Sequence, residues 1–163
     1  MDIAPETLAR LRRRFDNIVG VKETTRDFEH FSRVLHLCGR DTLVWSGIEL
    51  LCLPLLALGG AGFVSAVANI APAAVAQMYE HWTAGEQEKA RDLHYGLHPL
   101  VDLIFTETNP APAKWVLQQA GLLDSGYVRP PLAPVSAAAQ ERIGHLLRAG
   151  APVLGPPVDE LAT

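Results

Sequence analysis

The chain has 163 residues, of which 48% are hydrophobic and 20% are charged, and this balance predicts one globular domain rather than a disordered or fibrous chain. The formal net charge of -4 and the pI near 5.8 provide no basic surface for nucleic acid or anionic lipid. We therefore expect no nucleic-acid partner.

A helix and a strand are predicted near the N-terminus. Leu8, Leu11 and Phe15 recur at helical spacing, and the three arginines at 12–14 suit solvated positions near the C-terminal end of that helix. The next run, residues 18–22, is short, apolar and β-branched, which is typical of a strand buried on both faces.

Two further strands follow at regular spacing. Thr24 and Asp27 fit a capping box for a helix after the first strand. Residues 42–46 and 62–68 predict the second and third strands, and residues 49–58 predict the helix between them. This alternation predicts parallel strands joined by right-handed crossovers, in a doubly wound sheet or a closed barrel.

Residues 50–78 contain no charged residue, so a transmembrane span is an alternative interpretation of this region. Residues that break helices and strands divide it into pieces of about ten residues, each too short to cross a bilayer. These residues are Pro54, Gly59, Gly60, Gly62, Asn69 and Pro72. We therefore interpret the region as buried core and expect no membrane partner.

The rest of the chain is predicted to be helical. A helix with Pro72 in its first turn has one apolar face, formed by Val75, Met78, Tyr79 and Trp82. A longer helix, which Pro99 kinks, has another, formed by Leu93, Leu97, Leu100, Val101 and Ile104. Residues 110–120 predict a helix, and a last helix starts at Ser136.

Cysteine and histidine usage gives no sign of a disulfide or a metal centre. Cys38 and Cys52 lie in apolar segments without C-x-x-C spacing, which favours two buried free thiols in a reducing compartment. His94 and His98 lack an H-E-x-x-H core, so we expect no metal ion. The N-terminal residues show no export signal, and a cytoplasmic location is therefore expected.

Lys22 is the candidate catalytic residue. It ends an apolar strand, and burial of an ammonium group costs free energy. A lysine at this position therefore suggests a function. The C-terminal ends of strands form the active-site face of a barrel, where a partly desolvated lysine has a lowered pKa and can attack a carbonyl carbon. The alternative is an exposed strand end at which Lys22 pairs with Glu23.

The sequence around Lys22 resembles the dihydrodipicolinate synthase and N-acetylneuraminate lyase family. Residues 20–25, Gly-Val-Lys-Glu-Thr-Thr, resemble the signature around the Schiff-base lysine of that family. Further motifs follow in the family's order: Ser46-Gly47, the glycine-rich run 59–65, Asn69, residues 107–114 and residues 129–134. The similarity extends from about residue 2 to residue 148.

The resemblance implies an α/β fold, namely the last three strands of a (β/α)8 TIM barrel followed by a C-terminal helical extension. We expect barrel residues at 1–85, the helical extension at 86–149 and a disordered tail at 150–163. Five strands of the barrel would be missing, together with a threonine loop that holds the substrate carboxylate and a tyrosine that relays protons. Tyr79, Tyr95 and Tyr127 do not match that tyrosine.

In this family the lysine forms an imine with pyruvate or a similar 2-oxo acid, without a cofactor, and the resulting enamine attacks an aldehyde. By resemblance, Gly47 and the backbone of Val64 line the keto-acid pocket. Their alternative roles are a tight turn and a core strand. Glu49 matches a position that faces the second substrate, or it is a carboxylate favoured by the dipole at a helix start.

Two functions from different classes remain open. The first is the C-terminal part of a longer class I lyase, either dihydrodipicolinate synthase-like or a catabolic aldolase that releases pyruvate, for example from 2,4-dihydroxyhept-2-ene-1,7-dioate. Ile48 stands where a dihydrodipicolinate synthase often has an acidic residue, which leaves the substrate open. The second is a non-catalytic half-barrel that needs a partner chain or forms a homo-oligomer, because its edge strands are unpaired.

Overall fold

The computed structural model describes residues 2–163 and divides the chain into two compact units, one ending at Ser65 and the other beginning at Ala66. The expected single domain is therefore replaced by an α/β unit followed by a helical unit. The division lies earlier than the expected boundary after residue 85. The reason is that the helix beginning at Pro72 packs most extensively against the helix that follows it.

The first unit alternates helices with strands, as the sequence predicts. Its elements are α1 Pro5–Arg14, β1 Gly20–Glu23, α2 Phe28–Cys38, β2 Leu43–Ser46, a short 3-10 helix Glu49–Leu51, α3 Cys52–Ala57 and β3 Gly62–Phe63. The three strands form a parallel sheet in the order β1-β2-β3. The prediction of a partial α/β barrel sheet is confirmed.

The core of this unit lies between the helices and one face of the sheet. Phe31 and Val34 of α2, Val44 of β2 and Leu55 of α3 are fully buried, and Leu8 of α1 packs with them. Full burial of such a side chain contributes about 1.5–3 kcal/mol of stability. The helices therefore hold the sheet from one side.

The strand boundaries differ from the predicted ones by more than one residue at two places. β1 begins at Gly20 rather than at Ile18. The Arg12 side chain donates hydrogen bonds to the carbonyl groups of Ile18 and Val19, just before the strand. β3 ends at Phe63, and the expected continuation to residue 68 is wrong because Val67–Asn69 forms a 3-10 helix. The Asn69 side chain donates to the carbonyl of Ala66 at 3.0 Å, a local bond that competes with strand pairing.

The first residue of α2 also differs from the prediction. Asp27 is itself the N-cap, and its carboxylate accepts hydrogen bonds from the backbone N–H groups of Glu29 and His30. The predicted capping box beginning at Thr24 is therefore wrong, and the Thr24 side chain does not cap this helix.

The second unit is helical throughout. It contains a 3-10 helix Val67–Asn69, α4 Pro72–Thr83, α5 Gln87–Gly96, α6 His98–Ile104, α7 Ala111–Gln119, α8 Ala137–Gly150 and two 3-10 helices, Ala151–Val153 and Val158–Ala162. The predicted kink at Pro99 is a break, since α5 and α6 are separate helices that meet at Leu97. Tyr79 was expected on the apolar face of α4, but its side chain is exposed.

The C-terminal tail is folded in the structure, whereas a disordered extension was expected for 150–163. Val158 is only 3% exposed, and the 3-10 helix that it begins packs against α8 and α7. The tail has no periodic apolar face, but the buried Val158 side chain anchors it. No helix within residues 2–163 is both long and apolar enough to span a membrane.

Arg12 joins α1 to the start of the sheet. Its guanidinium donates to the carbonyl oxygens of Ile18 at 3.0 Å and Val19 at 2.7 Å, and it pairs with Asp41 at 3.1 Å. The side chain is only 16% exposed. The expectation that all three arginines at 12–14 are simply solvated is therefore wrong for Arg12.

We predict that Arg12→Ala destabilises the protein by about 2 kcal/mol, because bonds from a charged donor contribute about 1.5–3 kcal/mol. Urea unfolding monitored by circular dichroism measures this change. Arg13→Ala is the matched control, since Arg13 is exposed and such surface changes stay within about 0.5 kcal/mol. Equal stability of the two variants would contradict the role assigned to Arg12.

Candidate functional site

Lys22 lies on the face of the sheet opposite the helices. Side chains alternate between the two faces along a strand, and paired residues of parallel neighbours point to the same face. Lys22 pairs with Trp45, whereas Glu23 pairs with Ser46. Glu23 and Ser46 are buried and Lys22 is exposed, so Lys22 stands on the open face.

Two expectations about Lys22 need correction. The expected partial desolvation is wrong, because its side chain is exposed on a face that also exposes Leu43 and Val64. The alternative pairing of Lys22 with Glu23 is also wrong, because the two side chains point to opposite faces. Lys22 is thus an accessible amine near the C-terminal end of a parallel strand.

Gly47, in the loop after β2, lies close to Lys22. A methyl group at position 47 would lie 2.5 Å from Cε of Lys22 and 2.5 Å from Oγ1 of Thr24. The Gly47 N–H also donates to the carbonyl oxygen of Glu23 at 2.6 Å. The missing side chain therefore leaves room for the lysine itself, a more specific reason for glycine than a tight turn.

Thr24 is a neighbour of the lysine that the sequence did not reveal. Its hydroxyl and the Lys22 Cε lie within 2.5 Å of one point, the position of the missing Cβ of Gly47. Thr24 is two residues after Lys22, so it lies on the same side of the chain where β1 ends. That spacing was the available signal, but the capping pattern concealed it.

Val64 follows the last paired residue of β3. Its N–H donates to the carbonyl oxygen of Ser46 at 2.8 Å, directly before Gly47. Its side chain is 50% exposed, so the alternative role as a core strand residue is wrong. The hydrogen bond places Val64 beside the same strand end as Gly47.

Glu49 is buried at the start of the first turn after β2. The residue is 9% exposed and begins the 3-10 helix Glu49–Leu51. Burial raises the pKa of the Cys52 thiol to about 12, and the charge of Glu49 adds to this rise. Cys52 is therefore an unreactive thiol at neutral pH, and the Glu49 carboxylate lies near it.

A second unexpected pair lies on the helix side of β1. Nε2 of His30 is 3.4 Å from Oε1 of Glu23, and the side chains are 12% and 6% exposed. This Nε2 is buried and its alignment does not satisfy hydrogen-bond geometry, so the pair is a close contact between ionisable groups. Its strand and helix positions gave no signal, because sequence spacing does not show which helix residue faces the strand.

The described residues contain no cluster of three or more His, Cys, Asp or Glu side chains suited to a metal ion. The chemistry that the site offers is that of a primary amine. Lys22 and Gly47 are brought together, and Val64 lies beside them through Ser46. The close approach of Gly47 to Lys22 does not involve Glu49, which is buried at the start of the 3-10 helix.

Comparison with known proteins gives one consistent result. The model of the Dihydrodipicolinate synthetase family matches residues 1–150. A 4-hydroxy-tetrahydrodipicolinate synthase from Thermus thermophilus is 44% identical over 146 residues, which cover 90% of this chain and 48% of that protein. The chain thus spans about half the length of such relatives and matches their C-terminal half.

Solved structures agree with this match. The 4-hydroxy-tetrahydrodipicolinate synthase of Methylacidiphilum fumariolicum SolV is 34% identical with a TM-score of 0.88, covering 98% of this chain and 53% of that one. The dihydrodipicolinate synthase of Thermotoga maritima is 34% identical with a TM-score of 0.86, covering 91% and 51%. With its three parallel strands and its accessible strand-end lysine, the chain belongs to the dihydrodipicolinate synthetase family.

Proposed function

We propose that this chain carries the nucleophile of a class I lyase that acts on pyruvate or a related 2-oxo acid, of the 4-hydroxy-tetrahydrodipicolinate synthase type. The observation that carries the proposal is the accessible Lys22 amine held against Gly47 at the end of a parallel strand. The names of the relatives support this type of activity.

The proposed chemistry begins with attack of the neutral Lys22 amine on the ketone carbon of the 2-oxo acid. Loss of water from the resulting carbinolamine gives a protonated imine, which withdraws electrons from the adjacent carbon. Loss of a proton from that carbon gives an enamine, and the enamine carbon attacks the aldehyde. Hydrolysis of the product imine returns the free amine.

Each candidate residue has a place in this proposal. Gly47 leaves the space in which Lys22 reaches the ketone, and the hydrogen bond from the Val64 N–H to Ser46 holds the Val64 backbone at the same strand end. Glu49 is buried, so a role toward the second substrate would require that substrate to enter the protein interior. The helix-start role therefore has the better support for Glu49.

We infer that turnover requires strands beyond the three of this sheet. β1 and β3 each pair on one side only, and the open face exposes Leu43 and Val64. Parallel sheets are normally covered on both faces, and exposed strand edges favour pairing with other chains. The same observation supports the second candidate function, a non-catalytic half-barrel that binds a partner chain or a second copy of itself.

The cellular setting is part of the proposal. Both cysteines are free, and Cys52 is buried, which suits a reducing compartment such as the cytoplasm. The proposed partners are small-molecule 2-oxo acids and aldehydes, together with further copies of the chain in a homo-oligomer.

We predict that borohydride reduction of the chain with pyruvate forms an adduct on Lys22. The chain has three lysines, and Lys89 and Lys114 provide internal references because they lie in the helical unit. Peptide mass spectrometry measures the extent at each position. Lys22→Arg should abolish the adduct and Lys89→Arg should leave it unchanged, whereas equal labelling of all three lysines would refute Lys22 as the nucleophile.

We predict that Gly47→Ala slows this imine formation by about ten- to a hundredfold, because the new methyl group would displace the lysine side chain. The time course of adduct formation measures the rate. Gly144→Ala is the control, since the nearest atom to a methyl group there is 3.8 Å away in α8. An unchanged rate in Gly47→Ala would show that the close approach does not govern Lys22.

The substrate is tested by co-expression with the N-terminal half of the Thermus thermophilus relative, as a separate chain. We predict a stable complex that consumes pyruvate and aspartate semialdehyde, and Lys22→Arg should remove the activity while leaving the complex intact. Release of pyruvate from a longer hydroxy-oxo acid would instead favour the catabolic aldolase. A complex without either activity would favour the non-catalytic half-barrel, and the absence of a complex would contradict the proposed lyase type.

A further inference from the structure

We propose that Glu23 and His30 form a buried positioning pair, which fixes the direction of Lys22 on the opposite face of β1. The inference rests on the proposed function for the importance of Lys22, and it adds two residues to which the family comparison gives no role. Neither residue is placed to touch a substrate on the open face, so each would act through the strand.

The burial of Glu23 is the first step of the argument. A carboxylate that is 6% exposed loses most of its hydration, and this loss is costly unless a donor or a positive charge replaces the water. His30 is the ionisable side chain in contact with Glu23, with Nε2 at 3.4 Å from Oε1. Removal of His30 would leave the carboxylate buried without this partner.

The second step concerns the main chain of Glu23. Its carbonyl oxygen accepts a 2.6 Å hydrogen bond from the N–H of Gly47, the residue that packs against Lys22. The side chain of Glu23 is held from α2 and its carbonyl from the loop after β2. The last residue of β1 is therefore anchored from two elements.

The third step connects this anchor to the lysine. Lys22 and Glu23 share a peptide unit, and their side chains leave the strand in opposite directions. A rotation of the strand end that exposes the Glu23 carboxylate to solvent would also turn the Lys22 side chain away from Gly47. The pair thus sets the direction of the amine without contacting its target.

The N-terminal turn of α2 supports the position of His30. Asp27 caps the helix and accepts the His30 backbone N–H at 3.2 Å, and an ion pair between Glu29 and Arg33 spans the next turn. The imidazole is therefore presented from an ordered helix start rather than from a loop. His36 lies on the same helix with an exposed side chain, and it offers a matched control.

The test uses the complete chain and reads the environment of Lys22 directly. Reductive methylation with labelled formaldehyde gives one signal for each of Lys22, Lys89 and Lys114, with the N-terminal amine as a fourth, and Lys→Arg variants assign them. We expect His30→Leu to shift the Lys22 signal and to slow trapping of pyruvate at Lys22 about tenfold in unmethylated protein. The signals of Lys89 and Lys114 should not move.

Variants distinguish positioning from a general loss of stability. His30→Gln keeps a side-chain N–H near the place of Nε2, and it should restore the Lys22 signal and most of the trapping rate. Glu23→Gln retains the shape of the side chain and provides a second measurement if His30→Leu fails to fold. His36→Leu should behave as the wild type.

Two outcomes would overturn the inference. In the first, His30→Leu and Glu23→Gln show the same Lys22 signal and trapping rate as His36→Leu. In the second, a folded His30→Gln variant keeps the altered Lys22 signal and the slow trapping of His30→Leu. Failure of the proposed function is seen separately, as the absence of a pyruvate adduct in the wild-type chain. In that case the Lys22 signal still decides whether the pair positions the lysine.

Discussion

The parallel register between β1 and β2 is the constraint on which the candidate site depends. It pairs Lys22 with Trp45 and Glu23 with Ser46, so that adjacent residues of one strand enter different surroundings. The amine reaches solvent on the open face, while the carboxylate is enclosed beneath α2. A slip of one residue would exchange them, burying an ammonium group and exposing the partner of His30.

The open face that makes Lys22 accessible also limits what it can do. Leu43 and Val64 expose large parts of their side chains beside it, and such a surface is usually covered in parallel α/β folds. Cover over this face would exclude water and strengthen electrostatic effects around an imine. In the three-stranded sheet, the Lys22 amine is therefore accessible but not desolvated. A closed barrel would desolvate it while keeping an entrance at the strand ends.

The sequence predicted the elements well where hydrophobic periodicity was strong. The predicted short strands located all three strands of the sheet, and Ser136 located the start of α8. Boundaries failed where a polar side chain intervened, as with Arg12 at the start of β1 and Asn69 after β3. Such hydrogen bonds depend on tertiary proximity or on competition between local conformations, and hydrophobic periodicity gives no information about either.

The candidate site was predictable only in part. Lys22 and Gly47 were found through a motif resemblance, and the structure brings them together. Thr24 was missed because it and Asp27 are both capable helix caps, and only the backbone geometry shows that Asp27 is used. The contact of Glu23 with His30 required knowledge of how α2 packs on the strand, and the fold of the tail depended on one buried side chain, Val158.

Under the proposed function, imine formation and turnover would depend on different parts of the protein. Imine formation needs a nucleophilic amine, space beside it and a fixed direction, and in our proposal Gly47 leaves the space and Glu23 fixes the direction. Carbon–carbon bond formation also needs proton transfer and a site that excludes water. Because the open sheet provides no such enclosure, the proposed imine formation requires only this unit, whereas the proposed carbon–carbon bond formation requires further strands.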